Sequence, residues 1–215
     1  MQSARRVAGE TSRFPQTPST GPLRGRELQA ATYGRGFTLW FTGLSGAGKT
    51  TIAELVGPEL ERRGLEVEYL DGDVVRTHLS KGLGFSKADR DTNIERIGWV
   101  ASRLTRHGAA VLVSAISPYA ETRARARALV EEFGAFVEVH VATSVAECAR
   151  RDVKGLYEKA FRGEIPEFTG VSDPYEEPAN PELRIDTDAH DPEESAQLVL
   201  AKLAELGLVR DEVAA

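Results

Sequence analysis

The octet Gly43-Leu-Ser-Gly-Ala-Gly-Lys-Thr50 constrains this chain more than any other stretch. It matches the phosphate-binding loop pattern G-x-x-x-x-G-K-[ST] at every fixed position. Residues 36–42 before it are apolar, aromatic and β-branched, which predicts a buried strand. Residues from Thr51 onward read as a helix start. Strand, glycine loop and helix is the order that phosphate binding needs, because glycines let the backbone wrap closely around phosphate oxygens. The loop N–H groups and the helix N-terminus then supply positive potential. The flanking elements argue against a glycine-rich turn that matches by chance.

The rest of the chain repeats the alternation. Helices are predicted over 52–63, 89–107, 120–133, from 144, and over 191–206. Strands are predicted over 66–70, 109–115, 135–141 and 183–186. Gly64, Gly108 and Gly134 follow three of the helices as stop signals. Asp191-Pro-Glu-Glu opens the last helix, with Asp at the cap and Pro in the first turn. Strands alternating with helices predict an α/β fold, a parallel sheet with helices on both faces. Ligands in such sheets sit at the carboxyl ends of the strands, which brings the glycine loop, Asp71, Asp73 and Ser117 to one edge. Residues 150–175 are charged and poor in aliphatics and read as a mobile lid.

Composition narrows the class. The chain has 215 residues, 41% hydrophobic and 28% charged, with a formal net charge of −6. That is ordinary for one globular domain and argues against a general nucleic-acid binder. Cys148 is the single cysteine, so no intrachain disulfide forms, and a reducing compartment, the cytoplasm, is expected. No apolar run is long enough to span a bilayer. The four His and one Cys show no zinc-ligand spacing. Residues 1–30 are rich in Arg, Ser, Thr, Pro and Gly, with Glu10 and Glu27 as the acids. They predict a flexible tail over 1–33, before a domain over 34–210. The tail is faintly similar to an organelle transit peptide but reads better as a plain extension.

Several residues beyond the loop are candidates for chemistry. Either Asp71 or Asp73 suits steering of Mg²⁺ and acceptance of a hydroxyl proton. The same Asp-Gly-Asp also suits a turn with a helix cap. Arg76, Arg90 and Lys154 are candidates for an anionic substrate, against solvated helix faces. Phe85 and Phe168 lie in glycine-containing polar loops and suit stacking on a purine, against packing of a folded lid. Ser117 follows the central strand. No His or Asp adjoins it in sequence, which favours a strand-end turn over a nucleophile.

Taken in order, seven segments carry a specific resemblance. They are the glycine loop, Leu70-Asp-Gly-Asp73 with Val75-Arg76, Lys81-Gly-Leu-Gly-Phe-Ser86 and Asp89-Arg-Asp-Thr-Asn-Ile94. Ile116-Ser-Pro-Tyr119, Arg151-Asp-Val-Lys-Gly-Leu-Tyr157 and Phe168-Thr-Gly170 complete the set. The chain resembles the adenylylsulfate kinases over residues 36–208. The resemblance implies a P-loop kinase fold. The implied reaction moves the γ-phosphate of ATP to the 3′-hydroxyl of adenylyl sulfate.

Carried over position by position, Gly43, Ser45, Gly46, Ala47, Gly48, Lys49, Thr50 and Thr51 would hold ATP. Lys49 would reach the β- and γ-phosphates, and Thr50 with Asp73 would hold Mg²⁺. Asp73 would be the catalytic aspartate, with Asp71 in support. Arg76, Arg90 and Asn93 would bind the phosphosulfate and ribose region, and Phe85 and Phe168 would stack on the adenine. Ile116 and Ser117 would line that pocket, and Lys154 would descend with the lid. Ser117 also matches the serine described in the family as a phosphorylated intermediate. A homodimer and functional coupling to an ATP sulfurylase are further implications. Val74 and Ala120 depart from the family's usual polar residue and Arg at those places. Nucleoside monophosphate or sugar kinases lack this ordered set, and no Asn-Lys-x-Asp guanine reader marks a GTPase. Lys49, Thr50 and Asp73 are all present, which argues against a non-catalytic regulatory module.

Overall fold

The computed structural model describes residues 36–210. The expected tail over 1–33 lies outside the described residues. Five parallel strands form one sheet: β1 (Phe37–Thr42), β2 (Val67–Asp71), β3 (Ala110–Ser114), β4 (Ala135–Val141) and β5 (Leu183–Ile185). Their spatial order is β2-β3-β1-β4-β5. The main helices are α1 (Lys49–Arg62), α2 (Gly72–His78), α3 (Lys87–Arg106) and α4 (Ala120–Glu131). α5 (Val145–Arg151), α6 (Leu156–Phe161) and α7 (Pro192–Glu205) follow.

The period-two rule explains how β1 organises both faces. Phe37, Leu39 and Phe41 point into a core shared with Ile52, Val56 and Leu60 of α1 and Val199 and Leu203 of α7. Trp40 points the other way, into a core with Ile94, Ile97 and Ala101 of α3 and Ala126 and Val130 of α4. Trp40 stacks on Phe136 of β4 at 5.5 Å. Thr38 shares this second face, and its hydroxyl meets that of Thr105 at 2.8 Å, so a buried polar pair is satisfied. β1 is buried at all six positions, as a central parallel strand requires.

The element boundaries follow local capping chemistry. Ser86 accepts from the Asp89 N–H and starts α3 two residues before the expected 89. Asp191 and Glu194 form a reciprocal capping box on α7, with Pro192 in the first turn. Gly64 and Gly108 take positive φ directly after their helices. Of the readings open for Asp71-Gly-Asp73, the helix cap is realised: Gly72 opens α2, and Asp71 caps it from outside. The Asp71 Oδ1 accepts from the N–H of Asp73 at 2.9 Å and of Val74 at 3.4 Å. The span read as a lid contains α6 and the bridge between Thr169 and Asp173.

Connections from β1 lead through α1 to one side of the sheet, and those from β3 lead through α4 to the other. The crevice outside the carboxyl ends of β1 and β3 is therefore the switch point at which such sheets bind ligands. Leu112, fully buried at the centre of β3, tests this core. Leu112→Ala is expected to cost about 2–5 kcal/mol. Urea unfolding followed by circular dichroism should show a lower midpoint with an unchanged slope.

Candidate active site

The glycine loop leaves the end of β1 and runs into α1. Gly43 has φ +149°, and a Cβ there would lie 2.4 Å from the Val141 carbonyl oxygen, so no side chain fits. Gly48 has φ +102° and caps α1 without a side chain. Lys49 folds back over the loop, its Nζ donating to the carbonyl oxygens of Gly43 (3.0 Å) and Leu44 (2.7 Å). Its ammonium is buried, and burial lowers its pKa to about 8.

Two acidic residues sit beside this loop with different partners. Thr50 donates its hydroxyl to Asp71 Oδ2 at 2.8 Å, joining the start of α1 to the end of β2. Asp73 instead pairs with Lys154 from the 150–175 segment. The carboxylate of Asp73 also acts electrostatically on two further cations. It raises the proton affinity of Lys49 on the loop side and of Arg76 on the far side. The Arg76 guanidinium is held below its usual pKa by burial first and by Arg90 second.

Arg76 and Arg90 organise the opposite wall. Arg76 lies over the Phe85 ring, 4.5 Å from its centroid, and donates to the Gly84 carbonyl at 2.9 Å. Phe85 itself is 64% exposed. Arg90 directs its donors at protein. It reaches the Phe85 carbonyl at 2.6 Å, the Thr169 hydroxyl and the Glu167 carbonyl, with the Asp173 carboxylate 3.5 Å away. Arg90 thus ties the Phe85 loop to the Phe168 loop. Phe168 packs edge-on against Tyr157 at 5.0 Å and joins the α1/α7 core at its rim. Asn93, one turn after Arg90, is buried, and its Oδ1 has no hydrogen-bond partner.

The 150–175 segment is built to present Lys154. The Asp152 carboxylate accepts from the N–H groups of Leu156 (2.8 Å), Tyr157 (3.0 Å) and Glu158 (3.2 Å), so it closes the turn that carries Lys154. Tyr157 donates its hydroxyl to the Ser45 carbonyl of the glycine loop at 3.0 Å. The sequence assigns Tyr157 no role, because its burial and its contact with the loop are decided by tertiary packing.

Ser117 is buried at the end of β3 with φ +42°. Its Oγ accepts from the Trp40 indole at 3.1 Å and donates to the Ala115 carbonyl at 3.3 Å. Neither partner can take up its proton. Ile116 offers its carbonyl to the Thr42 hydroxyl at 2.7 Å. Thr51 is exposed on the first turn of α1. Among the described residues no group of three His, Cys, Asp or Glu is arranged to hold a metal ion. No helix there is long and apolar enough to cross a membrane.

The family described as adenylylsulphate kinase matches residues 35–186. The chain belongs to the adenylylsulfate kinase family. An adenylyl-sulfate kinase of Picosynechococcus is 57% identical over 175 residues, covering 81% of this chain and 97% of that protein. The APS kinase of Mycobacterium tuberculosis, solved in complex with AMPPNP and APS, superposes with a TM-score of 0.76. It is 48% identical and covers 79% of this chain and 98% of that one. A probable bifunctional SAT/APS kinase of Sorangium cellulosum is 55% identical over 81% of this chain, which spans 29% of its length. The curated relatives of this chain are adenylyl-sulfate kinases, and it is an ATP-dependent kinase of that family.

The depressed pKa of Lys49 gives a signed pH effect. Because the folded value lies below the usual 10.5, the unfolded chain binds this proton more tightly. Between pH 8 and 10.5 this group therefore makes unliganded stability rise with pH. ATP binding needs the ammonium and runs the opposite way. The value of kcat/KM for ATP is expected to fall on raising the pH through about 8. A basic limb beginning only near the unperturbed lysine value would show that Lys49 is solvated.

Proposed function

We propose that this chain phosphorylates adenylyl sulfate at its 3′-hydroxyl with ATP, giving ADP and 3′-phosphoadenylyl sulfate. One observation carries the reading beyond family membership. The Asp73 carboxylate is paired with Lys154 of the 150–175 segment and acts electrostatically on both Lys49 of the phosphate loop and Arg76 of the opposite wall. A carboxylate in electrostatic reach of a phosphoryl-donor loop and of a cation suited to an anionic acceptor suits the proton transfer that accompanies phosphoryl transfer.

In this reading the backbone N–H groups of residues 43–51 and the Lys49 ammonium hold the β- and γ-phosphates. Asp73 accepts the proton of the 3′-hydroxyl as its oxygen bonds to the γ-phosphorus. The bond from that phosphorus to the β–γ bridging oxygen breaks, and the electron pair leaves with ADP. Lys154, paired with Asp73, orients that carboxylate until the proton arrives. The transfer is direct and in line, so Ser117 shapes the pocket and carries no phosphate. Arg76 and the exposed Phe85 suit the anionic and aromatic parts of the acceptor. The unpartnered Asn93 Oδ1 suits a ribose hydroxyl. Arg90 contributes chiefly by clamping the Phe85 and Phe168 loops.

The donor set near the loop fits Mg²⁺. The Thr50 hydroxyl and the Asp71 carboxylate are hard oxygens already joined to each other. Magnesium takes few protein ligands and fills its octahedron with phosphate oxygens and water. Thr50 with Asp71 or Asp73 would hold it. When bound, the cation offsets charge on the β- and γ-phosphate oxygens.

A homodimer working in the cytoplasm, coupled functionally to an ATP sulfurylase, belongs to the same reading. Sedimentation of the purified chain would measure its assembly.

The decisive assay is ADP release from Mg-ATP with adenylyl sulfate or AMP as acceptor. Turnover with adenylyl sulfate alone is expected, and equal use of AMP would reject the assignment. Asp73→Asn is expected to lower kcat by about 10²–10⁴-fold while the KM for ATP moves little. Phe85→Ala should raise the KM for adenylyl sulfate by the equivalent of about 1–3 kcal/mol of lost stacking. A change confined to the KM for ATP would place that ring on the other nucleotide.

A further inference from the structure

The proposed acceptor pocket has a floor that its own residues cannot hold in place. Ser117 adopts φ +42°, a region that residues with a Cβ avoid. Such a conformation persists only where the surroundings over-determine it. The hydrogen bonds at Ser117 Oγ fix the side chain. The Ser117 carbonyl itself is held from outside the turn by Arg123 of α4, which is almost fully buried, while the Thr42 hydroxyl and the Glu176 N–H hold the carbonyls on either side.

The Arg123 guanidinium meets acceptors from three separate parts of the fold. Nε donates to Glu138 Oε1 of β4 at 2.9 Å, Nη1 to the Ser117 carbonyl at 2.7 Å, and Nη2 to the Glu176 carbonyl at 2.6 Å. Glu176 lies just after the 150–175 segment and is itself stitched to the same turn. Its N–H donates to the Pro118 carbonyl at 2.8 Å, and its carboxylate accepts from the Ala120 N–H at 2.7 Å. Tyr175 beside it meets the Thr42 hydroxyl at 3.0 Å, and its ring lies 5.8 Å from the guanidinium carbon. The partner carboxylate, Glu138, is buried as well.

We propose that Arg123 is a positioning residue for the acceptor nucleotide. It holds the left-handed Ser117 turn and the end of the lid segment against β4, so the two walls of that pocket keep a fixed spacing. The inference rests on the reading that Ile116 and Ser117 line the adenylyl sulfate pocket. The planar fork is essential to it. A lysine at this place keeps the charge opposite Glu138 but has no rigid set of donors directed at three acceptors.

The test uses Arg123→Lys in the full chain, with Arg127→Lys as control. Arg127 belongs to the same ionic network through Glu182 and Glu138, but its bonds do not reach the turn. Arg123→Lys is expected to raise the KM for adenylyl sulfate at least about tenfold, as for loss of a charge-assisted hydrogen bond. The KM for ATP and the thermal midpoint should stay near the parent values, and Arg127→Lys should leave both KM values unchanged. A second readout needs no substrate. In a Trp99→Phe background the only indole N–H left is that of Trp40, which donates to Ser117 Oγ. Its ¹⁵N–¹H resonance should move further in Arg123→Lys than in Arg127→Lys, whose guanidinium lies over the Phe136 ring that stacks on Trp40 and so sets the size of a packing effect alone.

Should Arg123→Lys fail to fold, the double variant Arg123→Gln/Glu138→Gln removes both buried charges together and is expected to give the same selective KM shift. The proposal is overturned by an indole resonance that moves no further than in Arg127→Lys, with an unchanged KM for adenylyl sulfate. It is equally overturned if both KM values rise together with a lowered thermal midpoint. A parent enzyme that does not phosphorylate adenylyl sulfate would defeat the functional reading instead, and the indole resonance would still decide the role of Arg123.

Discussion

The burial of β1 on both faces is the constraint on which the rest of this structure depends. A strand in that position must send alternate side chains into two different layers. Phe37, Leu39 and Phe41 fill one, while Thr38, Trp40 and Thr42 face the other. Polar atoms on the second face need partners, because an unpaired buried donor is costly. Trp40 finds Ser117, and Thr42 finds the Ile116 carbonyl and the Tyr175 hydroxyl. The strand that carries the phosphate loop thereby also anchors the turn after β3 and the end of the lid segment.

Around that anchor the site is assembled by side-chain hydrogen bonds and ion pairs drawn from elements far apart in sequence. Thr50 with Asp71 joins α1 to β2, and Lys154 with Asp73 joins the lid segment to α2. Arg90 joins the Phe85 and Phe168 loops, and Arg123 joins α4, β4 and the Ser117 turn. In all but the first, a long cationic side chain reaches across the gap between elements. The buried pair of Arg123 and Glu138 has little value for stability as such, since desolvation offsets most of the attraction. Its value lies in direction, because a guanidinium fixes the relative placement of its acceptors. Lys49 follows a related logic. It is buried against the carbonyls of its own loop, and burial lowers its proton affinity, which an incoming anion would restore.

The two readings of Asp71-Gly-Asp73 left open by the sequence turn out to be compatible. Asp71 does cap a helix, with one carboxylate oxygen, while its other oxygen receives the Thr50 hydroxyl. Capping orients the carboxylate, so the local role serves the site. For the two phenylalanines, the exposed Phe85 fits a stacking surface, whereas Phe168 shows the packing contacts of a folded segment through Tyr157.

Much of this molecule was legible from residue order, for a common reason. The glycine loop, the apolar β-branched run of β1, the cap at Asp191 and the stops at Gly64 and Gly108 all rest on interactions within a few residues, and such interactions are written locally. The ordered set of seven segments was enough to indicate the family. Helix α2 was legible only as a candidate cap at Asp71, because an Asp outside a glycine is a signal shared with a turn. What only the tertiary structure decided was the choice of partners: Lys154 with Asp73, Thr50 with Asp71, and Arg123 with Ser117 and Glu176. Those bonds need sheet order and layer packing before the two groups can meet, and no local pattern encodes which distant carbonyl or carboxylate a buried guanidinium will face.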